Sequence, residues 1–76
     1  MKITTRNLEP VILADDGSVL KAPAGIRAVK DRLGLTHQAL AGLCGVSRRT
    51  AEDWTQGRHN PPAAALAVLA AKLEEA

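Results

Sequence analysis

The stretch His37-Gln38-Ala39-Leu40-Ala41-Gly42-Leu43-Cys44-Gly45-Val46-Ser47-Arg48-Arg49-Thr50-Ala51-Glu52-Asp53-Trp54-Thr55-Gln56 decides the fold of this chain. Leu40, Ala41 and Cys44 share one helical face at 3.6 residues per turn, and Ala51 and Trp54 continue an apolar stripe after a break. The break has the chemistry of a tight corner. Gly45 can adopt the left-handed backbone that ends a helix and permits a turn. Ser47 can accept a hydrogen bond from an amide near residue 50 and so start the next helix. Ala41 is small where a crossing helix must approach. These positions agree in register, and they predict two short helices meeting at a sharp angle, a helix-turn-helix.

Working outward, the spacing predicts a preceding helix over about Ala24 to Leu33, with Ile26, Val29 and Leu33 facing inward and Gly34 as its stop. Thr36 is the expected cap of the helix His37–Cys44. Arg48 to Gln56 form the next helix, ended by Gly57. Arg58-His59-Asn60-Pro61 reads as a loop, and a last helix runs to about Glu75 with Pro61 or Pro62 in its first turn. On that helix Leu66, Leu69 and Leu73 cluster on one side, while Ala64, Val68 and Ala71 fall nearly opposite. The second set has two readings: alanine as a plain helix former, or a small-residue patch against the same helix of a twofold mate. Before Pro23, Val11-Ile12-Leu13-Ala14 and Val19-Leu20 flank Asp15-Asp16-Gly17-Ser18, a β-hairpin signal. Residues 1–9 are mixed, with Ile3 and Leu8 their only large apolar groups. The expected organisation is therefore an N-terminal arm and β-hairpin over 1–23 and a helical domain over 24–76. An isolated hairpin is marginal, so its strands should lie on the helices or pair with another chain.

Seventy-six residues make one small domain with a modest core. With one Trp and no Phe or Tyr, that core must be built from Leu, Val, Ile and Ala, and oligomerisation would supplement it. The formal charge is +2, but it is unevenly placed: Arg27, Lys30, Arg32, Arg48, Arg49 and Arg58 face only Asp31, Glu52 and Asp53 in the central stretch. A basic centre suits a polyanionic partner. Cys44 is the only cysteine, so no internal disulfide is possible, and its place on an apolar face makes it a packed thiol. The N-terminus lacks the plan of a signal peptide, and the apolar run from Pro61 to Leu73 is too short for a membrane span. A cytoplasmic setting is expected.

The run Leu33-Gly34-Leu35-Thr36-His37-Gln38-Ala39-Leu40-Ala41, then Gly45-Val46-Ser47-Arg48-Arg49-Thr50, then Trp54, Gly57-Arg58 and Pro61-Pro62, resembles the Cro and lambda-repressor type of DNA-binding domain over roughly residues 24–73. Phage repressors, antitoxins and restriction-system controllers share that pattern. The resemblance implies a mainly α, four- to five-helix lambda-repressor-like domain, here with an N-terminal β-hairpin. It also implies sequence-specific binding of double-stranded DNA as a dimer, with repression at a palindromic operator. In such a motif the second helix lies in the major groove and its first residues reach base edges. Those residues are Arg48 and Arg49, and an arginine can grip guanine O6 and N7 in a bidentate fork. Similar proteins place base contacts at the positions of Arg48, Arg49 and Asp53, with Glu52 nearby. The two acids also stand four residues beyond the two arginines, at ion-pair spacing. Each can therefore orient its arginine, touch a base, or both.

Phosphate contacts are expected from Ser47, Thr50 and the free amides at the start of that helix. The resemblance adds one at the first residue of the preceding helix, commonly Gln. Here it is His37, which when protonated adds charge and should strengthen binding on acidification. Gln38 could take that phosphate instead, and Arg58, Asn60 and Lys30 could reach the backbone. Dimer contacts would come from Ala64, Val68 and Ala71 or from the hairpin. An alternative function is an antitoxin, binding a toxin protein while its helices hold the operon's DNA. No catalytic group is expected, because no serine or cysteine has a plausible base beside it. No metal or cofactor is expected either: His37, Cys44 and His59 are too scattered for zinc. Trp54 reads as core.

Overall fold

Short polar side chains and glycines set the boundaries of the two central helices in the computed structural model, in which residues 1–75 are described. Four helices form: α1 (Ala24–Arg32), α2 (His37–Cys44), α3 (Arg48–Gln56) and α4 (Ala63–Glu75). Thr36 Oγ1 accepts from the Ala39 amide at 3.0 Å, and Ser47 Oγ accepts from the Thr50 amide at 3.2 Å. Each therefore satisfies one of the donors that a helix start leaves open. Gly45, at φ 71°, lets the chain leave α2 in the left-handed region, and the Val46 amide then donates to Ala41 O at 3.0 Å. α1 ends at Arg32, one residue before the expected Leu33. Neither Pro61 nor Pro62 lies inside α4. Pro62 precedes it and its carbonyl accepts from the Leu66 amide at 3.1 Å, so the ring stands where no helical N–H is needed. The last residue of the expected helical domain, Ala76, lies outside the described residues.

The N-terminal segment departs from expectation. Residues 2–6, read as part of an arm, form the strand β1 (Lys2–Arg6) against β2 (Glu9–Leu13), which also pairs with β3 (Val19–Leu20). The result is an antiparallel sheet of order β1-β2-β3, with Thr4 opposite Val11 and Ile12 opposite Leu20. The Asp-Gly turn forms as the sequence predicts: Gly17 has φ 87°, the Ala14 amide donates to Ser18 O at 2.9 Å, and the Asp16 carboxylate accepts from Ser18. The β1–β2 turn is less regular in chemistry. Asn7 and Leu8 both have positive φ, 52° and 68°. Asparagine tolerates this, whereas leucine is strained there by an amount on the order of 1 kcal/mol relative to glycine.

The sheet lies on the helices, chiefly α4 and α1. One close approach makes this possible. A Cβ on Gly25 would stand 2.8 Å from Leu20 O and 3.0 Å from Ile12 Cδ1, so only glycine lets β3 rest on α1 without a shift. The core gathers Ile12, Ile26, Val29, Leu40, Ala41, Ala51, Trp54, Ala65, Leu66 and Leu69. Leu33, Cys44 and Leu73, all expected inside, are half-buried and pack against it. Trp54, 2% exposed, is its largest member, and truncating it to alanine would cost about 3–5 kcal/mol. On α4 the leucines face this core, and Ala64, Val68 and Ala71 are exposed.

Candidate nucleic-acid interface

α3 is amphipathic in a way that fixes its two roles. Ala51, Trp54 and Thr55 are buried against the rest of the domain, and the opposite side is charged. Ser47 caps the helix, and its hydroxyl also meets Thr50 Oγ1 at 3.0 Å. Arg48 and Arg49 follow at once, with side chains 65% and 73% exposed. Both project away from the core. Arg48 Nε lies 3.0 Å from Glu52 Oε1, and Arg49 Nε lies 3.4 Å from Asp53 Oδ1. Each pair engages Nε, and a guanidinium has five donors in a planar fork. The outer Nη edge therefore stays available to a second acceptor.

Asp53 does more than the i,i+4 spacing implies. Its side chain is largely buried, and Oδ1 also stands 3.6 Å from Arg58 Nη1. Its carbonyl accepts from the Arg58 amide at 2.9 Å and from the His59 amide at 3.4 Å, across the left-handed Gly57. One residue thus holds Arg49 on α3 and the start of the loop after it. Both carboxylates that could have touched bases are engaged by arginines, which makes the orienting role the one visible in the geometry.

His37 is half-buried at the start of α2, where its Nε2 lies 3.0 Å from Thr55 Oγ1. The Thr55 hydroxyl also donates to Glu52 O at 2.9 Å, which ties the ring to the backbone of α3. Around the ring is a depression of about 450 Å³ lined by Arg27, Lys30, Asp31, His37, Thr55 and Gln56. Lys30 is mostly packed and its Nζ stands 3.7 Å from Asp31 Oδ1. The structure therefore forms two basic groupings, one of Arg48, Arg49 and Arg58 and one of Arg27, Lys30 and His37. Gln38 is exposed on α2 beside the second. Asn60 lies elsewhere, on the wall of a groove shared with β2. Arg27 and Thr55 were not picked out from sequence. Arg27 offered only its charge, and Thr55 finds its partner 18 residues away in a contact no local pattern encodes.

Among the described residues no three His, Cys, Asp or Glu side chains gather as a metal site. Cys44 is a free, partly buried thiol, and burial pushes its pKa above the ordinary value. No described helix is long and apolar enough to cross a membrane.

A capped helix with exposed arginines, set at a glycine corner against a second helix, is the architecture of a DNA-binding helix-turn-helix. The model of the helix-turn-helix domain family matches residues 24–74, and the chain belongs to that family. No curated protein and no solved structure matches it.

Proposed function

We propose that this protein is a transcriptional regulator of the Cro and lambda-repressor type that binds double-stranded DNA sequence-specifically, as a twofold dimer on a palindromic operator. The observation that carries this is the pair of outward arginines at the first turn of α3, each steadied by its own carboxylate while Trp54 anchors the opposite face. A side chain held before binding loses less entropy when it meets its target. Arg49 or Arg48 forks a guanine, with discrimination of about 1–3 kcal/mol per good bidentate pair, and the other lies closer to phosphate. Ser47, Thr50, His37, Gln38, Lys30 and Arg58 frame the groove as backbone contacts. One module spans few base pairs, so a second half-site supplies the missing affinity. The exposed Ala64, Val68 and Ala71 strip of α4 is the dimer face.

The protein acts by occupancy rather than catalysis: it represses by covering an operator in the cytoplasm. Selecting bound duplexes from a random pool tests this. A palindromic consensus with at least one G·C pair per half-site is expected, and Arg49→Ala should relax preference at one position. No enrichment at low salt would overturn the proposal.

A second reading, an antitoxin that also autoregulates its operon, draws on one observation: β1 is an edge strand with no neighbour on its outer side among the described residues. Such an edge can accept a strand from a partner protein. Co-purification with the product of the adjacent reading frame would favour it.

A further inference from the structure

The β1–β2 turn is the most conspicuous local exception in the molecule. Leu8 is 96% exposed, the most exposed large apolar side chain, and it is held at positive φ beside Asn7. Glycine at position 8 would make this turn at no conformational cost, since Asn-Gly is the favoured pair for a two-residue hairpin. A strained, solvent-facing leucine at the end of a ribbon thus runs against both local and hydrophobic preference. Arg6 and Glu9 close the turn as cross-strand partners. Arg6 is exposed and makes no ion pair among the described residues.

The position of this tip gives it meaning. Glu9 and Pro10 line one wall of a groove whose other wall carries Asn60 and Pro61. Glu9, the residue that follows the turn, thus shares a groove with Asn60 of the loop after α3. A helix seated in the major groove has a minor groove about half a helical turn to either side. Proteins that enter a minor groove use arginine and asparagine to meet its floor and walls and an apolar side chain to wedge between base steps. Arg6-Asn7-Leu8 presents that set in consecutive positions.

We infer that the β1–β2 tip is a second DNA-contacting element, reaching the minor groove that flanks the half-site, with Arg6 on a phosphate and Leu8 against the base edges. This rests on the proposal that α3 reads DNA. Glu9 is the acid at the tip, and it opposes the contact.

The test uses the full chain and two duplexes carrying the selected site, one ending at its borders and one extending about one helical turn beyond on each side. Fluorescence anisotropy should show Leu8→Gly binding the long duplex about five- to tenfold more weakly, and the short one unchanged. The same variant should melt several degrees higher, because the strained φ is relieved. Fold and binding thus move in opposite directions, which a merely structural leucine would not produce. Arg6→Ala should lower the salt slope on the long duplex by about one, and Glu9→Gln should tighten binding. Tip variants that bind both duplexes as the native chain does would overturn the inference while leaving the α3 reading intact. Loss of self-association in place of DNA affinity would overturn it by making the tip a protein contact. Failure of the native chain to bind either duplex would overturn both.

Discussion

Replacing Asp53 by asparagine separates two effects that its position combines. The swap keeps the shape and removes the charge that holds Arg49 Nε at 3.4 Å and Arg58 Nη1 at 3.6 Å. Two pairs whose arginines are exposed in this way contribute about 0.3–0.5 kcal/mol each. Removing a negative charge from the last turns of α3 returns about 0.3 kcal/mol through the helix dipole. The fold should therefore lose less than about 1 kcal/mol, a fall in melting temperature of no more than roughly 4–8 °C for a chain of this size. On DNA the two effects oppose. A carboxylate roughly 7 Å from a phosphate in water repels it by about 0.6 kcal/mol, so its removal should tighten binding to any duplex about threefold. Freeing Arg49 should remove part of the 1–3 kcal/mol that a well-held bidentate contact gives. Anisotropy titrations with the selected duplex and a scrambled one, at several salt concentrations, read both. Scrambled binding should tighten while selected binding weakens, so that their ratio falls about fivefold or more. Equal tightening on both duplexes would refute the idea that Asp53 aims Arg49.

Three further outcomes follow from the same geometry. Arg58→Ala should weaken binding to all sequences alike and lower the salt slope by about one, as read by anisotropy against salt concentration. Cys44, whose thiol is pushed up by burial, should react with a thiol reagent at pH 8 several-fold more slowly in the native protein than in denaturant. Asp15 is held below the ordinary aspartate value of 3.8 by its hydrogen bond with the N-terminal amino group, by that group's charge and by Arg32. Its stabilising contribution is thus complete above that value and is lost as the pH falls through the folded-state value. In urea melts, Asp15→Asn should flatten the decline in stability below pH 4 and leave the order of the two proteins at pH 7 in favour of the native chain.

The α2–α3 unit was legible because its information is local. Thr36, Gly45, Ser47 and Gly57 each act on atoms within a few residues, and their caps form as their chemistry dictates. β1 was not legible, for reasons visible in its partner. Lys2-Ile3-Thr4-Thr5-Arg6 has strand-favouring residues in the middle but no clean alternation, and its turn puts Leu8 where glycine would have been a signal. Pro10 also lacks the N–H that a strand ladder uses. It is tolerated because β3 meets only Ile12 and Leu13, so the Pro10 end of β2 has a strand on one side only. At the site, the arginine–carboxylate pairs follow from spacing. The hold of Asp53 on Arg58 and the bond from His37 to Thr55 depend on how helices cross, which no window of sequence contains.

Gly25 sets a fulcrum. With only a hydrogen between α1 and the Leu20 carbonyl, the ribbon sits directly against the helix at this end. Five residues of strand are about 17 Å long, so a tilt of 10° at this contact would carry the tip sideways by about 3 Å. Small changes of seating at Gly25 would thereby be magnified along the ribbon.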